Sequence, residues 1–240
     1  MHYETAGSGF PIVLLHGIGS NAKSWRRQIA AFSTRYRVIA WDAPGFGESE
    51  DFAEQPPSIR AFADSLRELF DTLGFAEAVI LGHSLGGVIA QEFYREYPDR
   101  VRALILADTT QGGSANLDDR LRMIRTMPPE ELARERAPRL LSKHAPAKVV
   151  SEAIAIMSEV RRPGYKFAAI AMANANLDGV LDNAGVPVLM IWGEEDDITS
   201  QWNSWPRSAQ VEIIPGAGHL CYAEQPEFFN STVLKFLERI

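Results

Sequence analysis

The sequence predicts a doubly wound α/β domain built on a mostly parallel sheet, and three observations lead there. Short unbroken apolar runs, among them Ile12-Val13-Leu14-Leu15, Val38-Ile39-Ala40-Trp41 and Val79-Ile80-Leu81, suit strands buried on both faces. These runs alternate with segments of helical spacing at 21–34, 58–73 and 226–238, the rhythm of strand–helix–strand units. Finally, Gly82-His83-Ser84-Leu85-Gly86 stands between one apolar run and a helical pattern, the context a nucleophile turn requires.

Taken in order, Met1–Ala6 reads as a strand closed by the Gly7-Ser8-Gly9 turn, and residues 12–15 form the next strand. Trp25, Ile29 and Phe32 mark a helix over 21–34 with Asn21 as its N-cap. The strand at 38–41 breaks at Asp42-Ala43-Pro44-Gly45-Phe46-Gly47-Glu48-Ser49, a stretch of turn residues. Ile59, Phe62, Leu66, Leu69, Phe70 and Leu73 form one helical face, with Ser58 as cap and Gly74 as stop. After the Ser84 unit comes the strand Ala103–Ala107, ending at Asp108. Residues 111–182 then break the rhythm with helices at about 117–126, 129–141, 147–160 and 164–175 and no convincing strand. Strands return at 187–192 and 211–214, before a last helix. The expected organisation is a core of 1–110 and 183–240 with 111–182 inserted over the carboxyl ends of the strands, where such sheets bind ligands.

Composition narrows the function classes. The 240 residues are 46% hydrophobic and 23% charged with a net charge of −7, ordinary for a globular domain. That acidity, with no basic stripe, argues against nucleic acid or an anionic membrane as partner. A single cysteine, Cys221, precludes an internal disulfide framework and fits a reducing compartment. With no N-terminal apolar signal and no long apolar span, a cytoplasmic monomer or small homo-oligomer is expected.

The bare Gly-x-Ser-x-Gly pattern arises by chance about once in 3,000 windows, roughly a one-in-ten accident over this length. Its meaning therefore depends on what accompanies it. Asp196, in Gly193-Glu194-Glu195-Asp196-Asp197, follows one strand, and His219, in Pro215-Gly216-Ala217-Gly218-His219, follows the next. The order Ser, Asp, His at strand ends separates this pattern from other serine-hydrolase folds.

With these pieces, His16-Gly17 and the 42–49 run, the chain resembles the α/β-hydrolase family over nearly its whole length. It looks most like small bacterial carboxylesterases and 3-oxoadipate enol-lactonases. The resemblance implies an α/β-hydrolase fold with a helical cap inserted after the sixth strand. It also implies Ser84 as nucleophile, His219 as general base and Asp196 as the acid that orients the imidazole. The oxyanion hole would be the backbone N–H groups of Ile18 and Leu85, whose side chains are expected to line the pocket. Asp108, at the end of the preceding strand, is the alternative acid, and Asp197 a weaker one. His16 and His83 are expected to shape the flanking loops rather than to react.

Other residues have plainer roles. Cys221 has no neighbour in sequence that would lower its pKa, so packing is expected of it. The histidines lack metal-ligand spacing and no phosphate-cradling loop follows a strand, so no metal and no cofactor are implied. In the helical insertion, Met123, Met127, Leu140, Ile156, Met157, Phe167 and Met172 are candidates for the pocket wall. Arg125, Arg161 and Arg162 are candidates to bind a substrate carboxylate.

Two departures from the family pattern stand out. Relatives usually have one more edge strand before the one at His2-Tyr3-Glu4-Thr5. The stretch 198–207 is too short for the helix that usually follows the acid, which would let the Asp196 loop sit differently. The function expected is hydrolysis of a small-molecule ester or lactone. The alternatives are carbon–carbon bond hydrolysis with the same residues, or a non-catalytic receptor on a hydrolase scaffold.

Overall fold

The structure is a computed structural model that describes residues 1–52, 58–113, 116–199, 206 and 209–240. In chain order the elements are β1 (Tyr3–Ala6), β2 (Pro11–Leu15), α1 (Arg26–Phe32), β3 (Arg37–Trp41), α2 (Ile59–Leu73), β4 (Ala78–His83), α3 (Leu85–Glu96) and β5 (Val101–Ala107). There follow α4 (Leu117–Thr126), α5 (Pro129–Arg136), α6 (Ala147–Ser158) and α7 (Arg162–Ala173). Then come β6 (Val188–Gly193), β7 (Ala209–Ile214), α8 (Cys221–Glu224) and α9 (Pro226–Leu237).

The seven strands form one sheet in the order β1-β3-β2-β4-β5-β6-β7. Only β1 runs antiparallel, pairing Tyr3 with Trp41; the other neighbours are parallel. The doubly wound, mostly parallel sheet is thus as expected. The helical segment leaves it after β5, the fifth strand of this chain and not the sixth. The reason is that the sheet already starts at the antiparallel strand β1, with no further edge strand before it among the described residues.

Strand order reverses between β2 and β4, since β3 lies on one side of β2 and β4 on the other. Leu15 and Gly82 are partners in that pair, so the loops after β2 and β4 open side by side. A crevice at the carboxyl ends of two strands whose connections diverge is where such sheets take ligands. The central strands carry apolar residues on both faces: Ile80 joins one core cluster with Phe62 and Val88, while Val79 and Leu81 join the other with Trp25 and Phe229.

Local chemistry explains the element ends. Ser58 Oγ accepts the Ala61 N–H at the start of α2, and Gly74 closes that helix at φ 71°. Asn21 does cap, accepting from the Lys23 N–H. The single helix expected at 21–34 is instead a 3₁₀ turn, Ala22–Trp25, followed by the short α1. In the inserted segment the α4 span is as expected, while 129–141 divides into α5 and a 3₁₀ turn at Ala137–Leu140 that begins next to Pro138. Helix α7 starts two residues earlier than expected because Pro163 fits a first helical turn. One isolated bridge, Gly112 to Asn176, links the two ends of the segment. The stretch 200–205 and residues 207 and 208, most of the shortened loop noted above, lie outside the described residues.

Gly164, in the first turn of α7, sits so close to the loop after β3 that a Cβ there would overlap the Gly45 carbonyl. Overpacking of this kind costs about 1–3 kcal/mol, and Tm moves roughly 2–4 °C per kcal/mol in a chain of this size. Gly164→Ala is therefore expected to lower Tm by several degrees in a thermal melt. At Gly185 the nearest atom to an added Cβ is the Tyr94 hydroxyl at 3.8 Å, and Gly185→Ala should leave Tm in place. Equal melting of the two variants would contradict the close seating of α7.

Candidate active site

Ser84 ends β4 and begins α3 with φ 52° and ψ −116°, a conformation that costs a non-glycine residue about 1–3 kcal/mol. The surroundings hold it there. Its N–H donates to Ala107 O (3.0 Å), and its carbonyl accepts from Gly87 N–H, Val88 N–H and Thr109 Oγ1 (2.6 Å). The turn is tight because neighbouring side chains are missing. A Cβ at Gly82 would overlap Gly86, and one at Gly86 would overlap the Leu15 carbonyl. The loop after β2 presses in as well: a Cβ on Gly17 would lie 3.2 Å from Ser84 Cβ and 2.8 Å from His83 Nδ1.

Asp196 and His219 come together from the loops after β6 and β7. His219 Nδ1 lies 3.0 Å from Asp196 Oδ2, and neither side chain has more than 4% exposure. Asp196 Oδ1 accepts from the Ile198 N–H at 2.8 Å, and the Thr199 hydroxyl donates to Oδ2. Burial alone would raise the Asp196 carboxyl. The hydrogen bond and charge of His219, with those two donors, outweigh burial and hold it below the usual range. Gly193 lets the two loops meet, since a Cβ there would overlap the Gly218 carbonyl.

Asp108 is close by but differently placed. It also has positive φ, 43°, and is fully buried, with Oδ1 accepting the Gly193 N–H at 2.8 Å. Burial, reinforced by the Asp196 charge, pushes its carboxyl well above the usual range. One ligand atom each from Asp108, Asp196 and His219 lies within 4.8 Å of the others. The donor set is wrong for a metal cage: the Asp108 carboxyl is driven towards its protonated form, and His219 Nδ1 is engaged by Asp196. Burial, then the Asp108 charge, likewise pushes the Cys221 thiol well above its ordinary value, which suits the packing role expected of it.

The two flanking histidines bind backbone. His16 Nδ1–H donates to Gly17 O (2.8 Å) while Nε2 accepts the Ala43 N–H (3.0 Å), tying the loop after β2 to the loop after β3. His83 Nε2–H donates to the His219 carbonyl (2.8 Å), so its buried Nδ1 is the bare nitrogen and has no partner. Asp42 organises the turn chemistry of its loop, accepting from Ala22 N–H, Glu48 N–H and the His2 ring.

Sequence reasoning missed three features. Glu224 in α8 accepts from Gly218 N–H, Ser142 N–H and Ser142 Oγ, fixing the loop that carries His219 to the inserted segment. Its only signal was a position one helical turn beyond His219. Arg120 and Arg136 line the cavity with Ser84 and His219; Arg125, Arg161 and Arg162 do not. Arg161 instead bonds the Ser49 carbonyl and Arg162 the Met127 carbonyl, while Arg125 is exposed. The cavity holds about 570 Å³, a small-molecule volume. Ile18, Leu140, Ile156 and Met157 line it. Leu85 does not, because its side chain turns into the core beneath α3. Phe167 and Met172 are core residues too, and Met123 and Met127 pack against that core.

Burial of His83 has a pH signature. Desolvation, aided by the neighbouring His219, lowers its pKa to about 3. Above the unfolded value near 6.5 both states are neutral and stability is full; below it the unfolded chain takes up a proton the native state refuses. At pH 5 this removes about 2 kcal/mol, and buried His16, also lowered, acts in the same direction. Chemical denaturation at pH 7 and pH 5 should show that loss, and His83→Gln should show about 2 kcal/mol less of it. Identical losses in both proteins would contradict the neutral, buried assignment.

The chain is similar to known proteins in sequence and fold. Residues 12–232 match the model of the alpha/beta hydrolase family. A 2-hydroxy-6-oxononadienedioate/2-hydroxy-6-oxononatrienedioate hydrolase of Burkholderia vietnamiensis is 30% identical, covering 100% of this chain and 91% of its own. Among solved structures, a thermophilic esterase from Thermogutta terrifontis, with malate bound, superposes with a TM-score of 0.89 at 29% identity, covering 99% of this chain and 93% of that one. The enol-lactonase from Burkholderia xenovorans gives 0.88 at 26% identity, with 99% and 96% covered. Helices α4, α5, α6 and α7 lie in succession between β5 and β6, and no helix among the described residues is long and apolar enough to cross a membrane. This chain belongs to the α/β-hydrolase family and is a hydrolase enzyme.

Proposed function

We propose that the enzyme cleaves a small ester or lactone through an acyl-enzyme on Ser84. The observation that carries this reading is the Asp196–His219 hydrogen bond, in a cavity that Ser84 and His219 both line. With Nδ1–H donated to Asp196, the imidazole keeps Nε2 as its basic nitrogen. His219 then takes the Ser84 proton during attack and returns it to the departing oxygen. Water enters by the same base and releases the acid. Asp196 stabilises the imidazolium and stays ionised, which its lowered pKa favours.

The backbone N–H groups of Ile18 and Leu85 serve as oxyanion donors, each worth roughly 10²–10³ in turnover. Gly17 pressing on Ser84 and the start of α3 at Leu85 support both assignments. Residues 111–182 act as the cap over a core of 1–110 and 183–240; the contribution of α5 and α6 residues to the cavity wall supports this division. A second reading has one specific observation in its favour. The Burkholderia vietnamiensis relative is named for hydrolysis of 2-hydroxy-6-oxononadienedioate and 2-hydroxy-6-oxononatrienedioate, and carbon–carbon bond hydrolysis by the same residues is the alternative to ester or lactone cleavage. Turnover of p-nitrophenyl esters and lactones, set against a ring-cleavage dienoate, separates the two.

A fluorophosphonate probe should label the wild-type protein and leave Ser84→Ala unlabelled. Labelling of neither would instead indicate a non-catalytic receptor. Asp196→Asn should lower kcat by about 10⁴, the loss typical when the orienting acid is removed. Asp108→Asn should lower it by less than about tenfold, because that carboxyl holds Gly193 rather than His219. The opposite ranking would move the acid to the end of β5.

A further inference from the structure

The cavity above Ser84 carries a charge pattern that a neutral ester does not call for. Among its described lining residues, Lys23, Arg26, Arg27, Arg120 and Arg136 face two carboxylates, Glu152 and Glu159, in a chain of net charge −7. Both carboxylates are engaged: Lys23 Nζ lies 2.7 Å from Glu159 and Arg27 Nη2 2.7 Å from Glu152. Arg26 is exposed at the rim. The two that remain come from the inserted helices, Arg120 on α4 and Arg136 at the end of α5.

Neither has a carboxylate partner among the described residues. Arg136 reaches the Met123 sulfur at 4.0 Å, a weak acceptor. Arg120 Nη1 is shielded from solvent and makes no hydrogen bond. Beside Arg120 stands Tyr165, 1% exposed, whose hydroxyl is buried and likewise unpartnered. Burial pulls the Arg120 guanidinium below its ordinary value, and the Arg136 charge pulls the same way. Two guanidinium groups held near each other, with an idle phenol between helices, lack one thing electrostatically, an anion. Leaving a shielded cation unpaired is expensive, and removing one partner of such a pair typically costs several kcal/mol. Guanidinium donors match the planar oxygens of a carboxylate in pairs.

We propose that Arg120 and Arg136, which both line the cavity with Ser84, bind a carboxylate of the substrate. The preferred substrate is then an acid that also carries the scissile bond, a half-ester of a small dicarboxylic acid. The proposal rests on Ser84 as the hydrolytic centre and names the substrate class of that site. The carboxylate is a spectator in the chemistry: the acyl carbon–oxygen bond breaks at Ser84, water supplies the new oxygen, and the bound carboxylate keeps its charge throughout.

The test compares kcat/KM for mono-p-nitrophenyl glutarate with that for p-nitrophenyl butyrate, which has a similar chain without the acid. The wild type should favour the half-ester. The ratio should fall roughly 30- to 100-fold in Arg120→Gln and in Arg136→Gln, mainly through KM, as expected when a charge-assisted pair is removed. Arg120→Lys should recover part of it. Arg122→Gln, on the exposed side of α4 where its partner is Asp119, should keep the wild-type ratio. One ratio common to all five proteins would overturn the proposal. Calorimetric titration of glutarate into Ser84→Ala reads the same site without turnover, and adding Arg120→Gln should weaken binding at least tenfold. Arginine-dependent glutarate binding with no turnover of any ester would refute the Ser84 hydrolase reading and keep the anion site. Ester turnover with no arginine dependence would do the reverse.

Discussion

The backbone of Ser84 is the constraint on which the rest of the molecule depends. A serine at φ 52° between a strand and a helix is held by a hydrogen bond to β5 and by three donors on its carbonyl. It is possible only because Gly82 and Gly86 have no side chains to collide with one another and with Leu15. From this follow the close pairing of β2 with β4, the open crevice at the reversal of strand order, and the direction of α3 away from it. The strain is local, about 1–3 kcal/mol, and the fully apolar strands beneath it supply the stability that tolerates it.

Around that turn, burial sorts chemically similar groups into different roles. Asp196 and Asp108 are neighbours, yet one is held below and the other well above the usual carboxylate range: burial raises both, but the hydrogen bond and charge of His219 outweigh it at Asp196, while at Asp108 the like charge of Asp196 adds to it. His83 and His219 lie with ring centroids 4.8 Å apart, and His83 is committed to the His219 carbonyl as a neutral donor. One carboxylate and one imidazole, Asp196 and His219, are thus left paired with each other, as the proposed acid–base chemistry requires. Glu224 anchors the same loop from below, so the insertion and the His219 loop are coupled through Ser142.

Much of this was legible in the sequence because it is dictated by backbone sterics. Glycines at 82 and 86 around Ser84, unbroken β-branched runs, and the Ser, Asp, His order at strand ends are one-dimensional traces of a three-dimensional requirement. The Ser58 and Gly74 caps were legible for the same reason. What escaped depends on the direction of helix faces. Spacing places Arg120, Arg125 and Arg136 on helices and Arg161 and Arg162 between two of them, but only packing decides that Arg120 and Arg136 line the cavity while Arg161 and Arg162 bond carbonyls at Ser49 and Met127. Leu85 was misplaced likewise: its N–H and its side chain point to different environments. The division of 21–34 into a 3₁₀ turn and a short helix reflects the pull of Asp42 on the Ala22 N–H, a tertiary contact that no local pattern announces.

Sheet, turn and cavity together describe a family hydrolase whose reactive groups are conventional and whose pocket is electropositive in an acidic chain. The central step of the proposed function is a covalent bond to Ser84. Rapid-quench mixing of the wild-type enzyme with a p-nitrophenyl ester, followed by intact-mass and peptide mass spectrometry, reads that bond directly. A transient adduct of the acyl mass on the peptide containing Ser84, appearing with the first turnover and decaying afterwards, is the expected result. Turnover without any adduct, or an adduct on another residue, would contradict it.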